Sequence, residues 1–142
     1  MPDTIKACLE QHLIEKARAT SAIVPAADWL DAADKHIASA ASIINSDPVG
    51  SLSLSWLAMH NIAKAAAASI GYELIDETHG KVADFLGCVF ARDLEDREVG
   101  LIQAVRGGRN ATIYGNPKMA QTPLIGSAAN LAVKLRRLAA DL

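Results

Sequence analysis

Arg106, Arg109, Asn110 and Tyr114 are the residues whose types and spacing could do the most chemistry. In helical register Val99, Ile102, Arg106, Arg109 and Ile113 recur at steps of three and four, so two arginines fall on a stripe that is otherwise apolar. The adjoining stripe reads Gln103, Gly107, Asn110 and Tyr114. On a continuous helix these side chains make one polar patch suited to phosphate or carboxylate, because guanidinium forks bind such oxygens bidentately while an amide and a phenol add directed hydrogen bonds. Two alternatives stand beside that reading. The arginines can pair with Glu95, Asp96, Glu98 or acids of a neighbouring helix, leaving Asn110 and Tyr114 as caps. Gly107-Gly108 can also end the helix early and turn Arg109 to Gly115 into a loop. Two glycines inside a helix cost about 1 kcal/mol each relative to alanine, so they point to a kink or to close approach of a ligand or another backbone.

The other reactive side chains are scattered. His12, His36, His60 and His79 fall on different segments without metal-ligand spacing, and no metal site is expected. His60, in line with Trp56 and Ala63, reads as a partly buried, hydrogen-bonded histidine. His79 precedes Gly80 at a helix start, where loop residues line sites. Cys8 and Cys88 sit among apolar neighbours and read as core thiols. No glycine-rich loop leads into Lys-Ser or Lys-Thr, so no nucleotide cofactor is expected.

Six helical segments would have to position these groups, separated at proline, glycine and capping residues. The first is predicted over Asp3–Ala19 from Ile5, Leu9, Leu13 and Ala17. The second opens at Pro25, carries Trp29, Ala33, Ile37, Ala40 and Ile44 on one side, and ends at Asp47-Pro48. The third, about Ser51–Tyr72, contains Ala65 to Ala68 and reads as the central helix. A fourth begins near Thr78 as N-cap with Val82, Phe85, Leu86 and Val89; a fifth starts at Asp93; a sixth starts at Thr122-Pro123 and ends with Lys134, Arg136 and Arg137, whose charge reads as mostly structural. No alternating run insists on a strand. The expectation is an all-α, compact up-and-down bundle forming a single domain over residues 1–142.

Composition supports that class. Half of the 142 residues are apolar, with few aromatics, and a formal charge of −2 leaves no global basic field for nonspecific binding to DNA or anionic membranes. The most hydrophobic stretch, Leu52–Ile70, is interrupted by His60, Asn61 and Lys64 and reads as a buried helix, with no membrane contact expected. The N-terminus lacks signal-peptide features, and a cytoplasmic location is expected.

The run Arg109-Asn110-Ala111-Thr112-Ile113-Tyr114-Gly115 resembles the signature of the HEPN superfamily, small α-helical proteins of prokaryotic toxin and defence systems, in which an arginine and a following polar residue precede a histidine by a few positions. The order of a Trp29 helix, an Ala-rich helix with Lys64, Gly71-Tyr72, His79-Gly80 and the arginine helix is similar as well, from Pro25 to Leu142. Tyr114 stands where the histidine would be. The resemblance implies a homodimer whose arginine helices face each other across a cleft that, in active members, cuts RNA without a metal. There Arg109, Asn110 and Tyr114 would be the catalytic set, and Arg106, Lys64 and His79 would contact substrate. Tyrosine, with an ordinary pKa near 10, donates a hydrogen bond but is a poor general base at neutral pH. The implied functions are RNA or nucleotide binding, with or without ribonuclease activity, in a toxin–antitoxin or defence setting, or a non-catalytic module that dimerises or recruits a partner such as a nucleotidyltransferase antitoxin.

Overall fold

The computed structural model describes residues 2–18, 24–78, 80–114 and 122–142, and for residues 112–114 and 122 the backbone alone. Its described elements are α1 (Asp3–Glu10), β1 (Ile14–Lys16), α2 (Ala26–Ile43), α3 (Pro48–Ser69), β2 (Tyr72–Leu74), α4 (Lys81–Val89), α5 (Asp96–Tyr114) and α6 (Thr122–Ala140). The all-α bundle expected from composition is thus present, with one small two-stranded antiparallel sheet added.

That addition corrects the reading of the first helix. The apolar period does continue through Leu13, but α1 ends at Glu10, and His12, two residues on, adopts φ +56°, a left-handed conformation that turns the chain out of the helix. Leu13 and Ile14 are buried all the same. They are buried as extended chain, because Ile14–Lys16 pairs antiparallel with Tyr72–Leu74 in the register Ile14↔Leu74. Ala17 N donates to Gly71 O (3.2 Å) and Ile75 N to Leu13 O (3.1 Å), which lengthens the ladder at both ends. Its partner strand exists because α3 stops at Ser69 rather than Tyr72: Gly71, at φ +83°, reverses the chain there.

α3 is the central helix, buried along most of its length from Ser51 to Ala67. It starts at Pro48, with the Asp47 carboxylate accepting from Gly50 N at 2.9 Å, so the Asp47-Pro48 pair that ends the preceding run also opens this helix. The alanines Ala63, Ala65, Ala66 and Ala67 carry little bulk, and α2 and α6 lie closely against α3. Ala33 and Ala40 do the same from α2, and Ser51 Oγ donates to Ala40 O at 2.8 Å across that seam. None of the described helices is long and apolar enough to cross a membrane.

The starts of α4 and α5 also differ from expectation. Asp76 Oδ1 accepts from both the backbone N (2.7 Å) and the hydroxyl (2.6 Å) of Thr78, which commits that residue to a turn. The N-cap is instead Gly80, at φ +80°. α5 starts at Asp96, not Asp93, where Glu95 N donates back to Glu98 Oε1 at 3.0 Å, half of a capping box. Two cations of α6 are structural ties: Lys134 Nζ reaches both Glu98 oxygens (2.7 and 2.9 Å), and Arg136 grips Asp34 of α2 through two bonds (2.8 and 3.1 Å).

Candidate functional site: the arginine face of α5

Helix α5 runs unbroken through Gly107-Gly108 to Tyr114, so the patch read from helical spacing stays on one element. Ile102 and Val105 are fully buried and fix which face looks into the bundle. The two glycines have different reasons. A β-carbon on Gly108 would lie 2.7 Å from Leu124 Cδ2 and 3.6 Å from Leu52 Cδ2, so its place is set by tight packing against α6 and α3. A β-carbon on Gly107 would meet nothing within 4 Å, and that side of the helix is open.

Arg106 is half-buried on the α5 surface that meets the start of α4. A β-carbon on Gly80 would lie 3.6 Å from Arg106 Nη1 and 3.7 Å from Gln103 Oε1, ordinary contact distances, so both side chains lie beside this left-handed glycine. Gln103 Nε2 donates to Asp84 Oδ1 at 2.6 Å and ties α5 to the first turn of α4. Two of the acids expected as partners pair with other cations: Glu98 with Lys134 at 2.7 Å, and Glu95 with Arg97 at 3.6 Å. Among the described residues Arg106 has no ion pair or hydrogen bond. Arg109 Nη1 donates to Asn110 Oδ1 at 3.2 Å, which places the guanidinium and the amide side by side. Tyr114 closes α5, with its side chain outside the described residues, and His79 lies outside them altogether.

Lys64 belongs to a second polar group, on α3. Its Nζ lies 3.0 Å from Glu77 Oε1 and sits 4.5 Å from the centroid of the Trp29 ring. His60 Nε2 reaches the same Glu77 oxygen at 2.7 Å, and its ring lies 6.5 Å from that of Trp56. Partial burial alone would push the Glu77 carboxyl up, yet the hydrogen bonds and charges of His60 and Lys64 outweigh it and hold the group below its ordinary range. Trp29, Lys64 and Glu77 line a recess of about 460 Å³ together with Ala67, Ala68 and Tyr72. The segment between β2 and α4 connects the two polar groups: Glu77 anchors it to His60 and Lys64, and Gly80 brings it against Arg106.

Glu77 is the neighbour of Lys64 and His60 that the sequence did not point to. Ile75-Asp76-Glu77-Thr78 signals only a turn, and nothing in its spacing points to a histidine 17 residues earlier. Among the described residues no three His, Cys, Asp or Glu side chains come together as metal ligands. Comparison with family models, with curated proteins and with solved structures finds no match to this chain.

Proposed function

We propose that the chain binds a phosphate-bearing ligand of the RNA or nucleotide class through Arg106, Arg109 and Asn110 on α5, as a HEPN-like protein. The observation that carries this reading is the state of Arg106: half-buried, and without an ion pair among the described residues. A guanidinium partly withdrawn from water gains most from an anion that it can grip with two parallel hydrogen bonds. Arg109 and Asn110 add a second cation and an amide on the same face. Two copies that meet with their α5 helices facing each other would double this charge along an RNA strand, and the open side at Gly107 allows another backbone to approach.

The reading is of binding rather than cutting. Tyr114 occupies the motif position of the histidine, and His60, on α3 rather than α5, is held by Glu77. Lys64, already engaged by Glu77 and Trp29, serves to position the segment that leads to Gly80. In the competing reading, acidic groups of a partner protein, such as an antitoxin, occupy the same arginines. Fluorescence anisotropy with a short single-stranded RNA tests the proposal. Arg106→Ala should weaken binding roughly ten- to a hundredfold, the loss of one charge-assisted contact, and Arg106→Lys should recover part of it. Equal affinity in all three proteins, with the helical circular dichroism unchanged, would transfer Arg106 to the partner reading.

A further inference from the structure

Cys8 and Cys88 lie 80 positions apart in the chain, yet the packing of α1 on α4 brings them together. Cys88 Sγ donates to Thr4 O at 3.9 Å and accepts from Gln11 Nε2 at 3.7 Å. Thr4 and Gln11 precede and follow Cys8 by four and three residues, so all three share one face of the α1 turn. A sulfur bracketed by both of them stands opposite Cys8. The two thiols differ in access: Cys8 is fully buried in the core, whereas Cys88 is half-buried and lines a cleft of about 500 Å³ with Thr4, Gln11, Asp84, Gly87 and Gln103. The setting agrees with this closeness, since burial pushes the Cys8 thiol well above its ordinary range and the neighbouring Cys88 sulfur pushes it further.

We infer that Cys88 and Cys8 form a thiol pair that a low-molecular-weight disulfide converts to an intrachain cystine joining α1 to α4, with Cys88 as the entry point and Cys8 as the resolving thiol. Cys88 loses its proton to solvent and its thiolate attacks one sulfur of the small disulfide, forming a mixed disulfide and expelling one small thiolate, which takes up a proton. Cys8 then gives up its proton and attacks Cys88 Sγ, forming the Cys8–Cys88 bond and expelling the second small thiolate, which is protonated in turn. The protein loses two electrons and two protons, and the small disulfide becomes two thiols. The order of steps follows from access: Cys88 lines the cleft and meets the small disulfide first, whereas Cys8 is fully buried.

The test treats the full-length folded chain with oxidised glutathione, quenches with an alkylating agent, and maps the cysteine peptides by mass spectrometry. The expected product is about 2 Da lighter than the reduced chain, takes up no alkylating agent, and contains a linked Cys8–Cys88 peptide that dithiothreitol releases. The bond closes a loop of roughly 80 residues and should raise the midpoint of thermal unfolding by about 5 °C or more. Cys8→Ala should keep glutathione on Cys88, and Cys88→Ser should leave Cys8 unmodified in the folded state. The wild-type map decides the matter even if a variant fails to fold. A wild-type chain that retains glutathione on Cys88 while Cys8 stays free, that links through Cys88 to a second chain, or that does not react overturns the inference.

Discussion

A β-carbon on Gly108 would stand 2.7 Å from Leu124 Cδ2, closer than carbon atoms pack, whereas one on its neighbour Gly107 would stand in open space. The pair therefore separates packing from propensity within one helix turn. Gly108→Ala gains helix propensity but must displace Leu124, and it should lower stability by about 1 kcal/mol. Gly107→Ala meets nothing and should raise it by up to about 1 kcal/mol. Urea denaturation of the two variants checks the sign of each.

Ser51 and Ser55 are both buried on α3, one turn apart. Ser51 Oγ donates to Ala40 O, while Ser55 Oγ has no hydrogen-bond partner among the described residues. Replacing Ser51 by alanine should cost about 1 kcal/mol or more, because a buried carbonyl loses its donor. Ser55→Ala removes a desolvated hydroxyl and should be neutral or stabilising by up to about 1 kcal/mol. Comparison of the unfolding midpoints tests whether the polar count of this helix is right.

The Glu98–Lys134 tie between α5 and α6 gives stability a pH dependence. The backbone hydrogen bond from Glu95 and then the Lys134 ammonium hold the Glu98 carboxyl below its ordinary range. A carboxyl depressed by folding stabilises fully above its unfolded pKa, and that contribution is lost as the pH falls through the lower folded value. Glu98→Gln should therefore be less stable than wild type at pH 7, by about 1 kcal/mol after allowance for solvent screening. The gap should close as both proteins are taken below pH ~4. A gap that persists unchanged into acid would assign the loss to packing.

Much of this fold was legible because its signals are local. The apolar period of α2, the alanine run of α3 and the arginine stripe of α5 each name a helix and its inward face, and the structure places Ala33, Ala66 and Ile102 in the core. What escaped was set by distant partners. Leu13 kept the helical period of α1, yet β2, nearly sixty residues later, offers Ile14 a strand partner that no local pattern reveals. Thr78 has the chemistry of an N-cap, but Asp76 claims its hydroxyl first. In the candidate site the arginines were readable from spacing, whereas Glu77 was not, because it meets His60 and Lys64 only once α3 and the segment after β2 are packed.

Tyr114→His addresses cleavage. If the group at this position limits proton transfer, a histidine with an ordinary pKa near 6.5 should make metal-independent RNA cleavage appear or rise. Wild-type protein that already cuts RNA and loses the activity on Tyr114→Phe would show that the phenol takes part.

The salt dependence of RNA binding tests the central claim, that Arg106 meets a phosphate. Each phosphate contact on a single strand contributes about −0.7 to the slope of log K against log salt concentration. The measurement is that slope for wild type and Arg106→Ala with the same short single-stranded RNA. Weaker binding at every salt concentration and a slope shallower by about 0.7 are expected in the variant; identical affinities and slopes would rule out a phosphate contact at Arg106.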